Sequence, residues 1–232
     1  MKKIFPWLQR LLPNYCLLCK DVTHSKLALC AYCITLLPWR TECYCQICGL
    51  PLQTSGTCGS CLKNSPAFDR VIAPFAYRAP IDHFIYQLKF QHKLIYAHLL
   101  GNLMADYIRT QYEFLPEVLL PVPLHRQRIR QRGFNQAGEI AKVVAKHLHI
   151  PFSQNYLLRD KRTHAQTYLK AKGRNKNVKN AFKIKKKIEF RHIALIDDVI
   201  TTGATLRQVS LALKKAGVER IDICCVARAE AR

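Results

Sequence analysis

The sequence predicts an α/β fold: a mostly parallel, doubly wound sheet with flanking helices, preceded by a small cysteine-rich module. Two observations carry that prediction. From about Pro66 onward, short runs of branched apolar residues alternate with segments whose apolar residues recur at helical spacing, the pattern of strands joined by crossover helices. Before that point, nine of the eleven cysteines crowd ahead of residue 62 and core-forming runs are few. A chain of 232 residues is long enough for one sizeable core plus such a module, and we divide it into residues 1–66 and 67–232.

The chain opens Met1-Lys2-Lys3, as secretory signals do, yet Pro6, Gln9, Arg10 and Pro13 interrupt the apolar stretch and no small-residue cleavage site follows. Ile4, Trp7, Leu8, Leu11 and Leu12 make one apolar face, better suited to packing on the protein itself than to a membrane surface, because so few turns bind lipid weakly. No apolar run approaches the roughly 18 residues needed to span a bilayer, so no transmembrane segment is expected and the chain reads as cytoplasmic.

Eight cysteines then form four C-x2-C pairs: Cys16/Cys19, Cys30/Cys33, Cys45/Cys48 and Cys58/Cys61. Two thiolates so spaced on a tight turn can face one tetrahedral zinc ion at about 2.3 Å, and a second pair completes the shell. Four pairs therefore imply two Zn²⁺ sites of four thiolates each, with Gly49 and Gly59 suited to the turns after Cys48 and Cys58. Sequential pairing of the knuckles and a cross-braced arrangement both fit the spacing; we prefer the sequential one. Disulfides are the weaker alternative in the absence of a secretion signal. All-cysteine shells leave no position open to substrate, so these metals are structural, and a module this small depends on them to fold. Cys43, Cys224 and Cys225 are read as small hydrophobic residues.

In the second part, residues 71–77 read as a strand, 81–90 and 96–108 as helices, 118–122 as a strand, 134–149 as a helix, and 193–197 and 221–227 as strands. The helix over 96–108 carries Leu99, Leu100, Leu103 and Tyr107 on one face, and the helix over 134–149 carries Ala137, Ile140, Ala141, Val144 and Leu148. After the strand at 118–122 comes a loop with arginines at 126, 128, 130 and 132, which can meet a pyrophosphate bidentately or line a nucleic-acid backbone. Residues 159–190 are basic and lack regular apolar period, as expected of a flexible lid that orders over an anion.

The richest stretch is Ile193 to Leu206. A buried strand is followed by Asp197 and Asp198, then by the turn Thr201-Thr202-Gly203-Ala204-Thr205, then by a helix whose residues Leu206, Val209, Leu213 and Ala216 share a face. Backbone N–H groups and hydroxyls at a helix N-terminus can hold a phosphate, and the two carboxylates one turn away can accept hydrogen bonds from vicinal ribose hydroxyls. Ligands of open α/β sheets bind at this end of the strands. The formal net charge of +22 adds attraction to polyanions, and residues 161–192 alone carry twelve Lys or Arg against one acid, Glu189. A merely solubilising surface rarely needs a charge beyond about 8.

DDVITTGATL resembles the phosphoribosyl-pyrophosphate (PRPP) binding motif of type I phosphoribosyltransferases. The CxxC pairs, the FD at 68–69, Leu88-Lys89-Phe90, Pro121-Val122-Pro123-Leu124, RGFNQA at 132–137, the series Arg159, Thr163, Gln166, Arg174 and Asn177, and Ala181-Phe182 extend the resemblance to the ComF family of competence proteins over nearly the whole chain. That resemblance implies a zinc-ribbon module fused to a type I phosphoribosyltransferase-like domain, acting in natural transformation, where incoming single-stranded DNA is handled on the cytoplasmic side of the uptake machinery, beside other competence proteins at the inner membrane. It assigns Asp197 and Asp198 to the ribose hydroxyls. It gives Thr201, Thr202, Gly203, Ala204 and Thr205 to the 5′-phosphate, and His125, Arg126 and Arg132 to pyrophosphate, without deciding which arginine points inward. Mg²⁺ is expected with PRPP, held more by ligand oxygens and water than by protein groups. Two functions stay open: binding of single-stranded DNA on a PRPP-binding scaffold, with Phe134, Tyr156, Tyr168 and Phe182 as stacking platforms or else as packing residues, and transfer of ribose 5-phosphate to a base or amine.

Overall fold

The computed structural model describes residues 14–25, 27–160 and 181–229. The N-terminal apolar face and most of the basic segment 159–190, Tyr168 included, lie outside the described residues. Among the described residues no helix is long and apolar enough to cross a membrane.

The cysteine-rich part holds a short hairpin, β1 (Asn14–Tyr15) with β2 (Val22–Thr23), and two five-residue helices, α1 (Ala31–Thr35) and α2 (Gly59–Lys63). Then come β3 (Arg70–Ile72), β4 (Phe75–Ala76), α3 (Ile81–Phe90), α4 (Ile95–Gln111) and β5 (Val118–Pro121). They are followed by α5 (Arg126–Arg132), α6 (Gln136–Leu148), β6 (Leu157–Arg159), β7 (Phe182–Ile184), β8 (His192–Ile200), α7 (Ala204–Lys215) and β9 (Arg220–Arg228). The main sheet has five parallel strands, with β3 and β4 both along one edge of β9, then β9, β8 and β5.

Alternation along the central strands divides the core in two. Ala194, Ile196, Cys224 and Val226 face the layer built by α3, α4 and α6. Ile193, Leu195, Ile223 and Cys225 face α7 and the antiparallel pair β6 and β7. Helices on both faces are what a parallel sheet requires, since each face is apolar. In α4, a Cβ on Gly101 would stand 2.7 Å from Val143 of α6, so glycine at this position lets the two helices approach closely. The apolar residues expected on the face of α6 are all buried.

The structure corrects four boundaries. The single strand expected over 71–77 is broken between β3 and β4 at Ala73-Pro74, where proline has no N–H for the ladder. The strand expected to stop at Asp197 runs on to Ile200, because β9 pairs with it as far as Arg228, so both carboxylates lie within the strand. The arginine loop is a helix, α5, capped by the His125 Nδ1 that accepts the Gln127 N–H at 3.3 Å and ended by Gly133 in the left-handed region. Ala216 caps α7 and is exposed, so it does not share the buried face of Leu206, Val209 and Leu213.

At the other end of the strands from the carboxylates, near the start of β9, Asp222 is fully buried and receives Arg70 at 3.2 Å, His192 at 3.1 Å and Arg220 at 3.2 Å. Burial alone would raise its pKa; hydrogen bonds from His192 and Tyr112 and the arginine charges overcome that and hold it at about 2. A lowered carboxylate pKa gives stability that is present above about pH 4 and lost as pH falls through about 2. Asp222→Asn is therefore expected to destabilise the protein by about 3 kcal/mol at neutral pH, the deficit closing in acid, as urea melts across pH would read.

Candidate functional site

The four knuckles assemble into two clusters, Cys16 with Cys19, Cys30 and Cys33, and Cys45 with Cys48, Cys58 and Cys61, every sulfur within 4.8 Å of the others in its cluster. The pairing is sequential. The Cys19–Cys30 and Cys48–Cys58 sulfurs lie 3.8 and 3.6 Å apart, close to the edge of about 3.8 Å that a tetrahedron with 2.3 Å arms would have. The donor set fits structural zinc. Backbone N–H groups already favour thiolate in each cluster: although burial works to raise them, Cys16 and Cys45 are both brought down to about 6 by amides of their knuckles. Burial and neighbouring sulfurs push Cys33 up to about 12. A bound cation resolves that conflict by taking all four as thiolates.

The turn after Cys48 needs the left-handed region, and Gly49 supplies it at φ 68°; Lys20 takes the same conformation after Cys19 at φ 70°. Gly59, by contrast, simply opens α2. Cys224 and Cys225 are buried as expected, whereas Cys43 is exposed and accepts the Ser55 hydroxyl at 3.5 Å.

At the carboxyl end of β8 the strand's alternation sends its two acids to opposite faces. Asp198, buried, follows Ile196 toward α3, where Lys89 Nζ donates to its Oδ1 at 2.8 Å. Asp197 follows Leu195 toward β6, with the positive charge of Arg159 acting on it, and its Oδ1 accepts the Asp198 N–H at 2.9 Å. Burial, and then the adjacent Asp198 charge, push Asp197 up to about 7.

The turn beyond the acids leads directly into α7. Thr201 and Thr202 are exposed, the Thr202 hydroxyl accepts the Ala204 N–H at 3.4 Å, and Gly203 at φ 72° is the N-cap. Thr205 is half-buried in the first turn of α7. A side chain at 203 would be strained by the backbone alone. The N-terminus of a 12-residue helix thus opens beside the carboxylates with its first amides and two hydroxyls.

Of the basic residues expected here, Arg132 is the one near Asp198. It donates to Gln136 at 3.1 Å, lies over the Phe90 ring at 5.2 Å, and feels the Asp198 charge. Burial nonetheless leaves its pKa below the usual arginine value. His125 and Arg126, at the other end of α5, act on Asp160 instead, and Arg126 is exposed. Reasoning from sequence gave no role to Lys89 or Arg159, although both stand in quoted motifs; Lys89 could have been found as the last-turn cation of a helix otherwise buried on the same face. The expected stacking residues are mostly packed: Phe182 is in the core, Tyr156 meets Phe190 edge-on, and Phe134 meets His92. Among the described residues an exposed aromatic pair is Tyr86 with Phe90 on α3, 49% and 53% exposed, with ring centroids 5.1 Å apart.

Fold and site together define a phosphoribosyltransferase-like α/β protein carrying two zinc-ribbon clusters: residues 7–62 match the double zinc ribbon domain and residues 129–232 the phosphoribosyl transferase domain. The chain is 38% identical over 223 residues to competence protein F of Haemophilus influenzae, covering 92% of this chain and 96% of that one. It is 31% identical to DNA utilization protein YhgH of Escherichia coli strain K12, covering 93% and 97%, and 28% identical to competence protein ComFC of Bacillus subtilis, covering 87% and 89%. The chain belongs to the ComF family of competence proteins.

Proposed function

We propose that this chain binds single-stranded DNA during uptake in natural transformation, on a scaffold that also holds a phosphoribosyl ligand. The observation that carries the DNA reading is the basic rim beside the acids: α5 bears four arginines and no acidic residue, with Arg126 and Arg130 exposed. Exposed Lys183, Lys185, Lys186, Lys187 and Arg191 extend the positive surface beyond it. A strand laid along such a rim meets cations for its phosphates and, at Tyr86 and Phe90, a place for bases to stack. The names of two relatives, competence protein F and DNA utilization protein YhgH, support the same role. In this reading residues 1–66 form the zinc-ribbon module and 67–232 the phosphoribosyltransferase-like domain. The protein works in the cytoplasm, at the inner face of the membrane with other competence proteins.

A second reading, transfer of ribose 5-phosphate from PRPP–Mg²⁺ to a nitrogenous acceptor, is favoured by one specific arrangement: paired acids and the TTGAT turn at the head of α7. Asp197 and Asp198 would take the ribose hydroxyls, Thr201, Thr202, Gly203, Ala204 and Thr205 the 5′-phosphate, and His125, Arg126 and Arg132 the pyrophosphate. Because the transferred carbon becomes cationic as the pyrophosphate departs, the protein's part is to position the reactants and balance the leaving charge.

Fluorescence anisotropy of a labelled oligo-dT against salt tests the DNA reading. Log K should fall with log salt by about 0.7 for each phosphate neutralised. Arg130→Gln should reduce that slope, while Phe90→Ser should cost about 1–3 kcal/mol at an unchanged slope, since stacking releases no counterions. Salt-independent or absent binding removes the DNA role and leaves the transferase.

A further inference from the structure

The guanidinium of Arg228 is an unusual tenant of the core. The residue ends β9 and is 4% exposed, yet among the described residues no carboxylate lies within ion-pair reach of it. Its partners are carbonyls from two different places. Nε donates to Cys48 O at 3.1 Å, inside the second zinc cluster. Nη1 donates to Ile200 O at 3.0 Å, to Ala229 O at 2.8 Å and, closer still, to Thr201 O, which opens the TTGAT turn. Arg40 grips the same knuckle from the next residue, donating to Gly49 O and, at 3.4 Å, to Ala73 O.

We infer that Arg228 is a positioning residue that links metal loading of the Cys45/Cys48/Cys58/Cys61 cluster to the shape of the Thr201–Thr205 turn. Charge explains why an arginine is tolerated there. A zinc ion with four thiolates carries a net charge of −2, and a centre of that charge beside the buried Arg228 and half-buried Arg40 supplies the counterion that carboxylates do not. Geometry explains what the residue does. In a trans peptide the C=O and N–H point in opposite directions, so drawing the Ile200 and Thr201 carbonyls onto Arg228 turns the N–H groups of Thr201 and Thr202 away from it. An ordered knuckle holds the Cys48 carbonyl, the carbonyl helps fix the guanidinium, and the guanidinium fixes the first two peptides of the turn. Loss of the second zinc ion frees the knuckle and loosens the turn, although the cluster and the turn share no side chain. The consequence for ligand binding rests on the phosphoribosyl reading above; the coupling itself does not.

Hydrogen exchange on full-length protein separates the two. Cys58→Ser, at the least buried ligand of the cluster, is made to release the second zinc ion, with zinc content verified by metal analysis. Exchange in peptides covering 199–206 should then accelerate on the order of tenfold, a typical coupling between sites, while 95–111 and 118–121 keep their wild-type rates. Arg228→Lys should give the same acceleration with both zinc ions still bound, because an ammonium cannot reproduce the planar fork. Wild-type exchange at 199–206 in either variant, or equal acceleration everywhere, overturns the inference. Calorimetry with PRPP–Mg²⁺ completes the set. Weakened binding in both variants extends the coupling to the ligand, whereas acceleration at 199–206 with no PRPP binding even by wild type removes the phosphoribosyl reading and leaves the link standing.

Discussion

Cys33→Ser is expected to lower the melting temperature by about 10–20 °C, and Cys61→Ser to lower it much less. The two cysteines occupy equivalent places in sequential zinc clusters and are equally buried, each 2% exposed. What differs is the packing behind them. Cys33 and Cys16 sit with Leu29 and Leu37 in the same core as Phe75, α3, α4 and α6, so losing the first metal opens the main hydrophobic core from one side. Cys61 belongs to a separate small group with Cys45 and Cys48, fringed by Ile47, Leu50 and Leu52, and that group can open locally. Loss of a structural metal is among the few single changes that exceed about 4–5 kcal/mol, and in a chain of this size each kcal/mol moves the melting temperature by about 2–4 °C. Differential scanning calorimetry of both variants reads the asymmetry directly. Equal drops would show that the two clusters support the core alike, against the packing described above.

That asymmetry was not legible in the sequence, where the two knuckle pairs look interchangeable. Local chemistry reads well from residue order: C-x2-C spacing gave the cysteine pairs, alternation of apolar strand runs with helical segments gave the parallel sheet with its flanking helices, and the strand–acid–turn–helix order put Asp197, Asp198 and the TTGAT turn at the carboxyl end of one strand. Long-range contacts do not read this way. Lys89 reaches Asp198 across 109 residues and Arg228 reaches Cys48 across 180, and no periodicity or spacing connects either pair. Helix α5 was missed for a different reason: seven residues with one apolar side chain show no periodic face, and what holds the helix is a cap and a glycine stop. The choice between stacking and packing for Phe134, Tyr156 and Phe182 stayed open in the sequence because aromatic side chains beside basic ones suit a nucleic-acid surface and a packed core equally; burial alone distinguishes Phe182 from Phe90.

Asp197→Asn should make the unliganded protein more stable while abolishing its response to PRPP–Mg²⁺. In the folded chain burial and the neighbouring Asp198 charge raise the Asp197 carboxyl from 3.8 to about 7. A raised pKa means that the folded protein holds a proton the unfolded chain gives up. The resulting stabilisation is complete below about pH 4 and is lost as pH rises through about 7. Asparagine has no charge to desolvate and can still accept the Asp198 N–H through its side-chain oxygen. The advantage of the variant should therefore grow from pH 4 to pH 7 and level off beyond. Full linkage allows roughly 1.4 kcal/mol per pH unit; about 2 kcal/mol in total is expected, because Asp197 keeps part of its surface in water. With ligand the order reverses. On the phosphoribosyl reading an ionised pair of acids would accept both ribose hydroxyls, so the wild type should gain about 2.7 kcal/mol at a ligand concentration one hundred times Kd, and should bind more tightly as pH rises through 7. The variant, lacking one anionic acceptor, should gain little. Thermal melts at pH 5 and pH 8, with and without PRPP–Mg²⁺, carry all four comparisons. A variant no more stable than the wild type at pH 8 would mean that Asp197 is not held under electrostatic strain, and an equal ligand response would move the ribose site elsewhere.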